Sequence, residues 1–351
     1  MVQKQAVLSR ELIIHPGEIL KDVLDERDMK QKELSIRSGI TESQIANIIT
    51  GRRPISAATA RKLQYALDIP AYFWINLQQN YDLELIAYED AHNISKEEKQ
   101  IYKNVKHVFD CFRQFGIVPE TIADTSEGII WLRNTLRISN LQAINSLPAA
   151  AAYRCTSNHG NLYVNYVWVY LCRILGERNN DMGPFDKEKL KESISDIKSY
   201  MFTEDATDMY RNIAGRLREC GVTFRIIPHC KNLGVRGFTE MVNGVGNVFL
   251  TIRDASADIF WFTLFHELGH LLQGEDKNET LADEFASEIL ITPTEYKAFL
   301  SAGDLSISAI CSLARRNNVQ PYIVIGRLQK EGRIPYNFYS RYKVKYVWQK
   351  E

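Results

Sequence analysis

Seven histidines, six cysteines and ten prolines in 351 residues are few, and each scarcity narrows what the chain can be. The cysteines, at 111, 155, 172, 220, 230 and 311, form no C-x-x-C pair, which argues against a zinc knuckle or a dithiol site. Unpaired and irregularly spaced, they fit a reducing cytoplasm. There is no excess charge of either sign: 43 basic residues meet 43 acidic ones. No global basic field therefore draws the chain to nucleic acid, and any such contact must come from a local patch. Long apolar runs are also missing. The most apolar stretch, residues 163–175, is interrupted by Asn165 and Arg173 and is too short to span a bilayer. Residues 1–10 lack the apolar core of a signal peptide. The expectation is a cytoplasmic protein without a membrane partner, long enough for two or three domains. Its 45% hydrophobic and 25% charged content is that of an ordinary globular chain.

Two of the seven histidines sit four residues apart, in His266-Glu267-Leu268-Gly269-His270. On a helix at about 100° per residue, such positions share a face, so both imidazoles can address one metal ion while Glu267 stands beside it. The flanks, Phe260 to Phe265 and Leu271-Leu272, are apolar all round, as on a buried helix. Buried without partners, His266, Glu267 and His270 would cost roughly several kcal/mol, and a shared zinc would remove that cost.

A catalytic zinc needs a third protein ligand and an open position for water. Downstream, Ala282, Phe285, Ala286, Ile289 and Leu290 recur at helical spacing. Counting from Glu279 at about 100° per residue, this apolar stripe centres near 310°, roughly 50° from Glu279, with Asp283 at its edge. Glu284 and Glu288 fall on the far, solvated face. Glu279 is thus the candidate third ligand. Asp283, one turn on, is placed to accept the free ring N–H of a ligating histidine. Residues 274–278 supply a turn between two antiparallel helices and contribute Glu275 and Asp276 as rival ligands.

Together with residues 260–265 and the run Ala282-Asp283-Glu284-Phe285-Ala286 to Leu290-Ile291-Thr292-Pro293, the motif resembles the ImmA/IrrE metallopeptidases. The resemblance implies a zincin-like fold, one zinc ion held by His266, His270 and Glu279, and Glu267 as the general base. One departure is that the segment between His270 and Glu279 is shorter than is usual in that family.

Residues 15–82 carry a different pattern. His15-Pro16-Gly17 opens a helix through Leu20, Val23 and Leu24; residues 31–37 form a second; Ser38-Gly39-Ile40 turns; and residues 41–49 form a third, capped by Thr41. Helix, glycine turn, helix is the helix-turn-helix order, with Leu34, Ile40, Ile45 and Ile48 as its apolar skeleton. The amides at the third helix's start, with Arg52 and Arg53 beyond its end, suit phosphates, and Glu42, Ser43, Gln44 and Asn47 face outward where base edges are read. His15 to Leu20, Gln31 to Leu34, Ile48 to Pro54 and Phe73 to Gln78 resemble the HigA-like branch of the XRE helix-turn-helix regulators. That resemblance implies a homodimer on a double-stranded DNA operator. It gives Gln31, Thr41, Arg52 and Arg53 as phosphate contacts, with Glu42, Ser43 and Asn47 as base readers.

The remainder is read as helical, with a little sheet. Ile101, Val105, Val108 and Phe112 keep helical spacing, as do Leu190, Ile194, Ile197 and Met201. Residues 151–154 and 183–187 resemble the middle of fused regulator-peptidases. His229 and Cys230 lack the spacing of a metal pair. Residues 222–227 read as a strand, Asn243-Gly244 as a hairpin turn and 247–252 as a further strand, which would offer an edge to an extended peptide. Two helices, residues 306–316 and 321–331, close the unit, and the aromatic and basic tail, including Trp348, is expected to pack on the body, with contact to nucleic acid as the alternative. The fold expected is mainly α with a small β-sheet (α+β): a five-helix helix-turn-helix domain at 1–83, a helical connecting region at 84–205 and a zincin-like metallopeptidase domain at 206–351. Two functions remain open. One is a DNA-binding regulator fused to a zinc endopeptidase that cleaves a protein substrate, such as a repressor or antitoxin. The other is a non-enzymatic, antitoxin-like repressor whose metal domain is structural or sensory.

Overall fold

A computed structural model describes residues 9–147, 160–178, 182–252, 256–274 and 278–346. Residues 151–154, Cys155, Glu275, Asp276 and Trp348 lie outside the described residues. The protein is mainly helical with one three-stranded sheet, an α+β fold. It divides into two compact units, Met1–Lys99 with Asp124–Ile130, and Gln100–Ala123 with Trp131–Glu351. Residues 84–205, read above as a connecting region, contribute to both. Among the described residues no helix is long and apolar enough to cross a membrane.

In the first unit the chain folds as α1 (Pro16–Glu26), α2 (Gln31–Ser38), α3 (Glu42–Ile49), α4 (Ala57–Leu67) and α5 (Ala71–His92). Local chemistry marks the boundaries. Pro16 occupies the first turn of α1, where its missing N–H costs nothing. Gly39 ends α2 at φ 64°, a left-handed conformation that glycine takes without steric cost. Thr41 Oγ1 accepts from the Gln44 amide at 3.3 Å and caps α3. The expected skeleton of Leu34, Ile40, Ile45 and Ile48 is 3% exposed or less and joins Leu20, Leu24, Leu63, Leu67 and Trp74 in one core. Each such aliphatic side chain contributes about 1.5–3 kcal/mol of burial. α5 runs on through residue 83 to His92, because no glycine or proline interrupts it.

The second unit contains α6 (Lys96–Val105) in its latter part, α7 (Val108–Phe112), the end of α8 (Thr125–Leu136), then α9 (Leu162–Glu177), α10 (Lys187–Ser199) and α11 (Ala206–Glu219). Strands β1 (Val222–Ile227), β2 (Gly237–Val242) and β3 (Val245–Thr251) follow, then α12 (Ala257–Gln273), α13 (Glu279–Leu290), α14 (Pro293–Ala302), α15 (Ile307–Arg316) and α16 (Pro321–Lys330). The sheet order is β1-β3-β2, with β1 parallel and β2 antiparallel to β3. The strand leading into α12, expected to offer its edge to a peptide, is paired on both sides and has no free edge. The Asn243-Gly244 turn forms as expected, both residues at positive φ, but it joins β2 directly to β3, which starts at Val245, two residues earlier than the sequence suggested. Every residue of β3 is buried, so the strand shows no alternation that would mark its ends. α12 and α9 cover opposite faces of the sheet. Thr239 of β2 bonds to α12 while its neighbour Glu240 pairs with Arg173 of α9 at 2.7 Å, and consecutive strand residues point to opposite sides.

The spacing of Ile101, Val105, Val108 and Phe112 also survives, all four being buried, although the helix breaks between Val105 and Val108. The tail packs on the body: the Trp261 indole donates to Tyr346 Oη at 3.1 Å, and the Ala257 amide donates to the Val344 carbonyl at 3.0 Å.

One titratable group is built into the first core. His15 caps α1, its Nδ1 accepting from the Gly17 amide at 2.9 Å, and its ring meets Tyr81 edge-on at 4.7 Å. Burial lowers its pKa below the usual 6.5, against the opposing pull of Glu18 and Asp82. A histidine whose folded pKa is depressed resists the proton that the unfolded chain takes up. Its stabilising effect is therefore complete above about pH 6.5 and is lost as pH falls from there toward the lowered folded value. Amide protection factors in α1, corrected for the intrinsic pH dependence of exchange, are expected to fall over that acid interval. In His15→Asn, which keeps a cap acceptor without the titration, the interval should flatten; an unchanged profile would exclude His15 as its source.

Candidate metal centre and helix-turn-helix face

The metal-ligand candidates stand on two helices that cross tightly. Gly269 faces α13, and a Cβ there would lie 3.1 Å from the Phe285 ring and 3.3 Å from Ala282 Cα. A larger residue would wedge the helices apart. The connection is closed by Gly274, at φ 84° after α12, and by Asn278, whose Oδ1 accepts from the Leu281 amide at 3.1 Å and caps α13. At the far end of α13 the Lys198 ammonium donates to the Ile289 carbonyl at 2.6 Å. Burial lowers the pKa of Lys198, yet it satisfies a helix terminus that would otherwise lack a donor.

This packing gathers His266, His270 and Glu279. Their ligand atoms lie within 4.8 Å of one another, the one such group of histidine, cysteine and acidic side chains among the described residues. His266 Nε2 is 3.1 Å from His270 Nε2 and 3.2 Å from Glu279 Oε2, and His270 Nε2 is 3.6 Å from Glu279 Oε1. Ligands at about 2.0–2.2 Å from a tetrahedral ion are separated by roughly 3.3–3.6 Å, so the three distances are close to the edges of one coordination tetrahedron. Their protonation agrees with this. Asp283 Oδ1 lies 2.8 Å from His266 Nδ1, and since a carboxylate only accepts, that nitrogen is the donor; in the neutral ring this is the tautomer that offers Nε2 as a ligand. With both Nε2 atoms unprotonated, donors at this range would repel one another, and a cation between them would remove that repulsion. The residues present therefore fit a divalent ion. Glu279 is 61% exposed in its side chain, His266 15% and His270 6%, so the carboxylate is the most solvent-accessible of the three.

Glu267 is not one of the three; it is buried at 5%, and Thr239 Oγ1 of β2 donates to its Oε2 at 2.6 Å. Sequence reasoning found neither Thr239 nor Lys198. The hairpin turn and two-residue alternation give the face on which Thr239 sits, but nothing local says which helix covers that face. Glu284 and Glu288 are exposed, as expected from the helical count.

In the first unit Gln31, Thr41, Glu42, Ser43, Arg52 and Arg53 are exposed and Asn47 is half-buried. Gln31 begins α2, and Thr41, Glu42 and Ser43 cluster at the start of α3. Thr41 spends an oxygen lone pair on its cap, and its O–H is still able to donate. The amides of Arg52 and Arg53 both donate to the Asn47 carbonyl, at 2.8 and 3.1 Å, so the backbone of the two residues turns back onto the end of α3. Lys62 of α4 adds a cation at the turn, its Nζ donating to the Gly39 carbonyl at 3.1 Å, a contact that sequence periodicity did not suggest.

The arrangement of α2, turn and α3 is that of a helix-turn-helix protein, and a helix-turn-helix family profile matches residues 20–74. Virulence-associated protein A' of Dichelobacter nodosus is 33% identical over 81 residues, which cover 23% of this chain and 70% of the relative. Virulence-associated protein I of the same organism is 34% identical over 83 residues, 23% of this chain and 76% of the relative. Two solved structures are similar over about a quarter of the chain. One is described as an antidote protein of a plasmid maintenance system from Nostoc punctiforme, with 33% identity, a TM-score of 0.21 and coverage of 23% of this chain and 90% of that one. The other is an addiction module antidote protein of a HigA family from Coxiella burnetii, with 33% identity, a TM-score of 0.22 and coverage of 24% and 92%. Through its N-terminal unit the chain belongs to the XRE family of helix-turn-helix proteins.

Partners that orient a metal-binding histidine carry a large share of a site's affinity, typically a factor of about 10–100. Asp283→Asn, which cannot hold the His266 tautomer as a carboxylate does, is expected to weaken zinc binding by that order in competition with a chromophoric chelator. Unchanged affinity would show that Asp283 is a surface charge with no part in the centre.

Proposed function

We propose that the chain is a DNA-binding regulator whose second unit is a zinc-dependent endopeptidase. The observation that carries the enzymatic half is the convergence of His266 Nε2, His270 Nε2 and the Glu279 carboxylate at 3.1–3.6 Å, with a buried carboxylate next in sequence. His266, His270 and Glu279 would hold a zinc ion, which when bound would supply a Lewis acid for the scissile carbonyl and a water of lowered pKa. Glu267 takes that water's proton and passes it to the leaving amine. Asp283 holds the His266 ring with its lone pair toward the ion. β2, the edge strand beside α12, offers backbone pairing to an extended peptide, which makes a protein segment the natural substrate. The resemblance to the ImmA/IrrE family points to a repressor or antitoxin as that protein, cleaved in the cytoplasm.

The regulatory half rests on α3. Its exposed start, with Glu42 and Ser43, enters the major groove of an operator, while Gln31, Thr41, Arg52 and Arg53 hold phosphates and a second copy of the chain reads the other half-site. The alternative is a repressor whose metal centre is structural or sensory. The buried carboxylate of Glu267 disfavours it, since a structural site needs no base.

Glu267→Ala is expected to bind one zinc per chain and to lose hydrolysis of a trapped protein substrate by a factor of about 100 or more. Persistent, chelator-sensitive cleavage by that variant would remove Glu267 from the mechanism, and absence of cleavage by the unsubstituted chain would favour the sensory alternative. Replacing Arg52 and Arg53 with alanine should weaken binding to all duplexes alike and reduce the salt dependence. Asn47→Ala should instead relax sequence preference. If operator affinity survives all three changes, the assigned face is wrong.

A further inference from the structure

Of the side chains packed against the motif helix, Thr239 has no role in the reading above. It sits on β2, where the two-residue alternation puts Gly237, Thr239 and Met241 on the face toward α12. Its Oγ1 donates to Glu267 Oε2 at 2.6 Å and lies 3.3 Å from the Glu267 carbonyl, so one hydroxyl touches both the side chain and the backbone of the same residue. Two positions earlier Gly237 lies flat against the same side chain. A Cβ at 237 would overlap Glu267 Oε1, Cδ and Cγ. Thr239 is 2% exposed and Glu267 5%, so the bond is shielded from water and its loss cannot be made good cheaply by solvent.

We propose that Thr239 and Gly237 form a seat for Glu267: the hydroxyl fixes the carboxylate's rotamer, and the bare Cα leaves the space in which that rotamer fits. This inference deepens the endopeptidase reading and rests on it for its consequence in catalysis. Thr239 is a positioning residue. It acts on the reaction through Glu267, with no part in holding the metal, because its bond is made to the carboxylate that does not belong to the ligand group. A general base must be aimed before its pKa matters, and a carboxylate swinging among rotamers spends little time within reach of the water. The same strand is the sheet's edge, so a peptide pairing with β2 would meet the backbone of the residue that sets the base.

The test uses the full chain loaded with one equivalent of zinc, with Thr239→Val, Thr239→Ser and Gly237→Ala. Crystal structures of the valine and serine variants read the Glu267 rotamer directly. Zinc titration reads the centre, and turnover of fluorescein-labelled casein reads the chemistry. Thr239→Val, which keeps the shape and loses the donor, is expected to release Glu267 from β2, to leave zinc affinity within about twofold, and to lower kcat at least tenfold with KM little changed. Thr239→Ser should restore both rotamer and kcat. Gly237→Ala should displace the carboxylate by contact, with the same split between metal binding and turnover. An unmoved Glu267 in the valine variant, or full turnover by it, overturns the proposal. A chain that binds no zinc or cleaves no casein overturns the endopeptidase reading instead, and the crystal structures still decide whether Thr239 seats Glu267.

Discussion

The close crossing of α12 and α13 is the constraint on which the candidate centre depends. Glycine at 269 and alanine at 282 let the backbones approach until a methyl group would already be tight against the Phe285 ring. That approach brings a carboxylate from one helix to within 3.2–3.6 Å of two imidazole nitrogens on the other. Without a cation, the same approach would crowd unprotonated donors together in a partly buried site. The packing and a bound cation would therefore support each other. Apolar burial along Phe265, Leu268, Ala282 and Ala286 holds the donors in place, and an ion among them would relieve the repulsion that their gathering creates.

Three further elements brace that crossing. Lys198 satisfies the carbonyls at the end of α13, so the helix carrying Glu279 is fixed at both termini. The chain's tail pairs with the start of α12 through Ala257 and Val344, and the Lys343 ammonium reaches Asp258 at 3.2 Å. The sheet supplies the floor, with fully buried β3 in its centre and β2 carrying Thr239 under the motif. The helix-turn-helix unit has its own core around Leu34, Ile45 and Trp74 and its own termini chemistry at His15, Gly39 and Thr41. Each unit thus contains the side chains that its proposed role requires.

Much of this was legible because helical periodicity is a statement about faces. Counting at about 100° per residue put Glu279 and Asp283 on the side of the apolar stripe and Glu284 and Glu288 away from it, which is how the helix lies. The helix-turn-helix was legible for a second reason, that its boundaries are set by local chemistry at Pro16, Gly39 and Thr41. What escaped was pairing at a distance. A strand pattern says which residues share a face but not which strand lies alongside, so the insertion of β3 between β1 and β2 could not be read. Nor could the meeting of Thr239 with Glu267, 28 residues apart in sequence. The break between α6 and α7 was hidden for the opposite reason: Val105 and Val108 are both buried, so the periodicity runs through an interruption that contains neither glycine nor proline.

The central claim is that three side chains from two helices hold one ion. Anomalous diffraction at the zinc edge, from crystals of the full chain supplied with one equivalent of zinc, tests it most directly. The account predicts a single strong peak about 2.0–2.2 Å from His266 Nε2, His270 Nε2 and a carboxylate oxygen of Glu279. A chain without a peak, or with zinc bound where Glu279 is not a ligand, would contradict it.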